Sequence, residues 1–374
     1  MQKSELLKII ASMKKADERL YYPDGDQTAF WRKVRESPMY GDEIAGLRAA
    51  GQAHRNTPIP EVTYSLFTSF AKTGSRLEYE RVYFQRRQIL NTAVLLSLLE
   101  PEQEEHLKLV CEILWSVCGE YTWCLPAHLS EKGVMETIDL FSAETGFALS
   151  EIRCLLGDRL PALLQARVRD EVYMRLIAPY LTSGPYHWET VAQHGSAVCA
   201  GSIGAAALLL VKDKETLADI LIKVESGLEC YLQGFGIDGA CLEGPGYWND
   251  DFGYFVYYAD LLRRRSRGTL DWFQMNKVSS TARLQQECIF DGRSTVHFSG
   301  PQQQGNVFLG LSHYLATEYP VLEVPAILLR TRYTNDHYSC WAPALRNLIW
   351  RRAEEEMQEW ATLSQYLPDV QHHL

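Results

Sequence analysis

Period-two alternation of apolar and polar residues is scarce in this 374-residue sequence, so half-buried β-strands have little to form from. Several chemistries lose their usual support as well. There is no GxxxxGKS/T loop to cradle nucleotide phosphates and no HExxH to hold zinc on a helix. There is also no GxSxG nucleophile turn and no GxGxxG following a strand. The nine cysteines are odd in number and lack CxxC spacing. They read as reduced, mostly buried thiols rather than a disulfide framework or a Cys-rich zinc site. Basic residues are in deficit: 37 Lys and Arg against 47 Asp and Glu leave a net charge of −10. A nucleic-acid groove, which needs a clustered basic excess, is therefore not expected. The first twenty residues, MQKSELLKIIASMKKADERL, are charged throughout and lack the apolar core and small-residue cleavage site of a signal peptide. Cytoplasmic residence is the expectation.

What is present is a helical pattern. Apolar residues recur at three-and-four spacing and predict helices over 4–20, 27–37, 41–55, 60–72, 76–99, 102–118, 135–156, 160–181, 188–211, 213–234, 249–265, 270–289, 303–317 and 340–362. Asp213 opens one of these, and Gly157 and Gly234 lie just past two C-termini. Helices of this length joined by short connections favour antiparallel neighbours, so stacked helical hairpins are expected. Hairpins closing into an α/α toroid fit, because they need not repeat one another in sequence. Residues 25–362 then form one domain, preceded by a helical arm at 1–24. The uncharged run TVAQHGSAVCAGSIGAAALLLV (190–211) is long enough to span a bilayer but is filled with Gly, Ala and Ser. It reads as a helix buried in protein, its small residues letting neighbours approach closely; no membrane partner is expected.

The polar, Gly- and Pro-containing connections 119–134, 182–187 and 235–248 are where function is sought. In DGACLEGPGYWNDD (238–251), Gly244, Pro245 and Gly246 are read as a non-helical turn ahead of Tyr247 and Trp248. Tyr247 is either an accessible proton donor or an anchor packing the loop, and Asn249 or Asp250 a helix cap. His187 and Trp188 stand at the entrance of the buried helix with His194 further in; His187 either bonds a substrate acid or is a surface capping residue, and His194 also fits a core histidine. Trp123 and His128 share the connection 119–133, where a tryptophan either stacks on a sugar or is buried under its own loop. Arg86 and Arg87 belong to RLEYERVYFQRR, read first as a solvated, salt-bridged face, with a bidentate grip on a carboxylate open to an inward arginine.

Taken in order, RLEYERVYFQRRQIL (76–90), TWCLPAH (122–128), IDLFSAETGFALSEI (138–152), HWETVAQHGSAVCAGSIGAAAL (187–208) and DGACLEGPGYWNDDFGYF (238–255) carry a likeness. The sequence over about 25–365 resembles the N-terminal helical domain of heparinase II/III-like proteins. The resemblance implies an incomplete α/α toroid and polysaccharide lyase chemistry on uronate-containing glycans, with an acidic polysaccharide or oligosaccharide as partner and no cofactor or metal in this domain. It assigns Tyr247, in the EGPGY turn, as the acid and sometimes the base. His187, where the family often has asparagine, would neutralise the uronate carboxylate. As a base Tyr247 needs a nearby cation, since its reference pKa is about 10, and His128 or an arginine from 76–87 is the candidate. Trp123, Trp188, Trp248, Glu243, His194, Arg86 and Arg87 become candidate substrate contacts. The family continues into a C-terminal β-sandwich that closes the cleft, and 363–374, ending YLPDVQHHL, reads as the start of a linker toward it. Two alternatives stand beside this reading: a glycoside hydrolase using Glu243 with Asp250 or Asp251, for which carboxylate spacings of about 5 or 6.5–9.5 Å are diagnostic, and a non-catalytic glycan-binding module.

Overall fold

The structure is a computed structural model that describes residues 1–22, 25–55, 57–131, 133–191, 195–236, 239, 245–290, 294–295, 307–336 and 338–352. Among these the helices are α1 (Lys3–Ser12), α2 (Gln27–Glu36), α3 (Gly41–Arg55), α4 (Tyr64–Phe67), α5 (Ser69–Thr73), α6 (Leu77–Leu99), α7 (Glu104–Cys118) and α8 (Leu140–Leu156). There follow α9 (Ala162–Val172), α10 (Ala178–Thr182), α11 (Ser196–Leu210), α12 (Lys214–Gln233), α13 (Pro245–Arg265), α14 (Asn276–Glu287), α15 (Leu309–Glu318) and α16 (Trp341–Ile349). Two-residue strands β1 (Ile289–Phe290) and β2 (Ser294–Thr295) pair antiparallel. The all-α class is thus observed. Of the two end segments distinguished in sequence, 1–24 holds α1, which lies against α12 and buries Leu6 and Ile10 in the main core, while 363–374 lies outside the described residues.

Local chemistry explains where the helices begin and end. Asp213 accepts from the Thr216 N–H and caps α12, and Gly157 and Gly234 follow α8 and α12. The expected helix 4–20 stops at Ser12, because Lys14 turns its N–H to the carbonyl of Arg265 and Asp17 starts a separate 3₁₀ turn. The helix expected from 135 begins only at Leu140, where Asp139 and Ser142 form a reciprocal capping box. The segment 188–211 divides into a 3₁₀ turn, His187–Glu189, and α11, with Gly195 between them at φ 88°. One expectation is reversed: the GPGY segment is helical from Pro245, not a non-helical turn. Proline suits the first turn, where its missing N–H would have had no partner and its φ is already helical.

Four long helices run in the same direction. Near the N-terminal ends of α6 and α8, Tyr83 Oη lies 3.1 Å from Thr145 Oγ1; near the other ends, Arg159 donates to the Ser97 carbonyl at 2.9 Å. Between α11 and α13, Asp251 Oδ1 accepts from Gly195 N at 3.1 Å, while Arg265 donates to the carbonyl of Leu208. Tyr254 of α13 meets Phe147 of α8, with centroids 6.5 Å apart. Each of the four is followed by an antiparallel partner. Arg86 reaches Ser116 on α7, Arg153 reaches Gln165 on α9, and Gly204 and Gly227 bring α11 against α12. Trp248 donates to Thr281 on α14. The hairpins expected from sequence are therefore present as a parallel inner layer backed by outer helices.

Helix α11 is the centre of that layer. All fifteen of its residues are buried, as expected of a helix apolar on every face. Its glycines set the spacing: a Cβ on Gly201 would lie 2.6 Å from the Tyr254 carbonyl oxygen. No helix among the described residues is long and apolar enough to cross a membrane.

Helix α16 fills the space between α6, α8 and α13. Arg346 forms two 2.6 Å hydrogen bonds to the carboxylate of Glu151, with both side chains at most 2% exposed. Trp341 Nε1 donates to the same carboxylate at 2.8 Å, and the guanidinium lies 4.7 Å from the Tyr257 ring centroid. Removing one partner of such a pair strands a buried charge, at a cost of about 3–5 kcal/mol, whereas replacing both with packed apolar groups is often neutral. Arg346→Met should therefore lower the urea midpoint steeply and Arg346→Met with Glu151→Leu should recover most of the loss. Equal destabilisation by both variants would show that the pair is not what couples α16 to α8.

Candidate functional site

The N-terminal ends of α6, α8, α11, α13 and α16 gather at one end of the inner layer. Tyr83, Thr145, Gly195 and Asp251 meet there as above, and Trp341 N at the start of α16 donates to Glu144 Oε1 at 2.8 Å. Two of the three connections singled out in sequence also meet there. Tyr186 Oη donates to the Glu136 carbonyl at 2.7 Å, and Trp188 Nε1 to that of Ile138 at 3.0 Å.

His128 is the best-built polar side chain at this end. It lies on a 3₁₀ turn begun by Pro126, is half-buried, and holds Nδ1 2.9 Å from Asp139 Oδ2. Asp139 is fixed in turn: Oδ1 accepts from Ser142 N at 2.8 Å and Oδ2 from Leu125 N at 3.1 Å. An ionised carboxylate only accepts, so the neutral ring carries its proton on Nδ1 and its lone pair on Nε2. That is the state of a general base. The ring stacks on Phe141, centroids 5.9 Å apart and planes 17° apart.

The other candidates are distributed differently. His187 is exposed, on the short turn docked against residues 136–138. Trp188 is half-buried and stacks nearly parallel with Tyr180 and Tyr186. Glu243, His194 and the side chain of Tyr247 lie outside the described residues; the backbone of Tyr247 is in the first turn of α13.

Four expected substrate contacts need correction. Trp123 and Trp248 are each 1% exposed. Their indole N–H groups bond the carbonyls of Val117 at 3.0 Å and Thr281 at 2.8 Å, so both are core anchors and offer no ring face to a sugar. Arg86 and Arg87 are not on a solvated face, nor free for a substrate carboxylate. Both converge on Glu120, with Arg86 Nε at 2.6 Å and Arg87 Nη1 and Nη2 at 2.7 and 2.8 Å. The three side chains are 3–5% exposed. Burial pulls the Arg87 guanidinium down, but the Glu120 carboxylate outweighs it and holds the pKa above the ordinary value. The inward, bidentate arginine considered in sequence exists; its carboxylate is internal. In a separate cleft bordered by Leu47 and Leu95, Arg330 and Arg351 are likewise engaged, by Glu43 and Asp42.

Sequence reasoning passed over Asp139 and Glu144. The capping box IDLFS was a readable signal for Asp139, but nothing in the sequence ties its second oxygen to a histidine eleven positions earlier. Glu144 is an acid inside an apolar stretch, and its pKa is raised to about 7 by burial, against the opposing hydrogen bond from Trp341 N and the charge of Arg87. Among the described residues no group of three His, Cys, Asp or Glu is placed to hold a metal ion. No protein-family model matches the chain, and no curated protein matches it.

The Glu144 shift fixes a pH dependence. Below the ordinary value of 4.5 the group is protonated in both folded and unfolded chains. Between there and about 7 the unfolded chain loses the proton while the folded one keeps it, so this contribution to stability is lost as pH rises through that window. Glu144→Gln should gain urea stability relative to the parent between about pH 5 and pH 8. Parallel stability profiles would mean that this carboxyl ionises as it does in water.

Proposed function

We propose that this chain is the helical domain of a heparinase II/III-like polysaccharide lyase, an incomplete α/α toroid that cleaves uronate-containing glycans by β-elimination. The reading is carried by one observation, the His128–Asp139 pair at the end where the inner helices begin.

In this reaction Nε2 of His128 takes the proton on the ring carbon next to the uronate carboxyl group. The electron pair left behind spreads onto the carboxyl oxygens, then forms a carbon–carbon double bond as the neighbouring glycosidic bond breaks. Tyr247 protonates the departing oxygen, and His187 neutralises the carboxylate. Each proton transfer contributes about 10²–10⁴-fold, and the charge gathered on the carboxyl oxygens is the part most sensitive to preorganised donors. A C-terminal β-sandwich, as in the family, would close the site from above. The hydrolase alternative gains nothing from Asp251, which is 2% exposed and committed to Gly195 N.

The test is ultraviolet absorbance of the unsaturated uronate when the full chain is incubated with alginate, polygalacturonate and glycosaminoglycans. One of these should give product. His128→Ala should lower kcat/KM by about 10²–10⁴-fold, and Tyr247→Phe should remove turnover while leaving glycan binding. New reducing ends without absorbance would mean hydrolysis; silence on every polymer would sink the lyase reading.

A further inference from the structure

Tyr338 is 47% exposed, whereas Trp123 and Trp248, both expected to meet a sugar, are buried. Its ring is held on edge by Phe84, at 5.3 Å and 75° between planes, and tilted against Phe141 at 5.8 Å. Phe141 is the same ring on which His128 stacks. An exposed tyrosine and the candidate base therefore flank one shared aromatic ring, within the reach of a disaccharide.

The turn presenting Tyr338 is unusually constrained. Asp336 accepts from Tyr338 N at 3.1 Å through Oδ1 and from Cys340 N at 2.9 Å through Oδ2. The next residue, Ser339, has φ 50°, in the left-handed region that a side chain disfavours. Asn91 Nδ2, from α6, grips the Ser339 carbonyl at 2.6 Å and keeps it there. Strain held by surrounding structure is a feature of ligand-binding segments, and here the strained turn presents a half-exposed aromatic ring.

We propose that Tyr338 is the sugar-stacking platform of this site, laying one pyranose ring of a uronate oligosaccharide on its face so that the neighbouring residue of the glycan reaches His128. The proposal rests on the lyase reading for the class of ligand. An aromatic face with a hydroxyl at its rim suits a pyranose, which offers C–H groups on its face and hydroxyls at its edge.

The experiment is calorimetric titration of the full-length His128→Ala protein with tetrasaccharides of alginate, polygalacturonate and hyaluronan, so that binding is read without turnover. Adding Tyr338→Ala should weaken the tetrasaccharide that binds by about tenfold or more, whereas Tyr338→Phe, which keeps the ring, should hold affinity within about twofold. In the otherwise parent chain, Tyr338→Ala should raise KM more than it lowers kcat. Thermal melting of Tyr338→Ala close to the parent separates a binding role from a folding one. Unchanged affinity on Tyr338→Ala overturns the platform and leaves the lyase reading standing. Absence of binding by all three oligosaccharides, together with absence of product from the parent chain, overturns both.

Discussion

The constraint on which the molecule depends is how near two backbones come. At Gly201 the chain of α11 approaches the carbonyl of Tyr254 so closely that there is no room for a methyl group. At Gly204 the side chains of Tyr258 and Val224 press in as closely. A helix without side-chain bulk on these faces can be enclosed by α8, α12 and α13 at once, and its complete burial follows. Because α11 and α13 are parallel and in register from Gly195 with Asp251 to Leu208 with Arg265, their N-termini come level at one end. The same levelling extends to α8 and α16 through Glu144 and Trp341. The candidate site lies where this alignment ends.

Charge inside the layer is spent on structure. Arg346 is held by Glu151, and Arg86 and Arg87 share Glu120. Buried charges in such pairs contribute less to net stability than their contacts suggest, since desolvation offsets the attraction, but breaking them is costly. They therefore act as latches that hold one arrangement of α6, α8 and α16.

Much of the fold was legible because helix formation is a local matter. Apolar spacing located nearly all of the long helices, the glycine- and alanine-rich run was identified as a buried helix, and Asp213, Gly157 and Gly234 marked the ends they were expected to mark. The misreadings came where two local rules competed. Glycines around Pro245 signal a turn, yet proline is also at home in the first turn of a helix, and the latter prevails from Pro245 onward.

The site was legible in part, for a different reason. His128 and His187 were singled out because histidines in polar connections stand out, and both connections do meet against residues 136–139. Trp123, Trp248, Arg86 and Arg87 were misjudged because residue type states what a side chain is able to do and not which way it faces. By itself the sequence determined helix content, the central buried helix and the chemistry on offer, since these follow from spacing and composition along the chain. Only the tertiary structure decided that Asp139 aligns His128, that the arginines turn inward to Glu120, and that Tyr338 stays half-exposed against Phe141. Those are contacts across 11, 33 and more than 190 positions, set by how the helices pack, and no local preference encodes them.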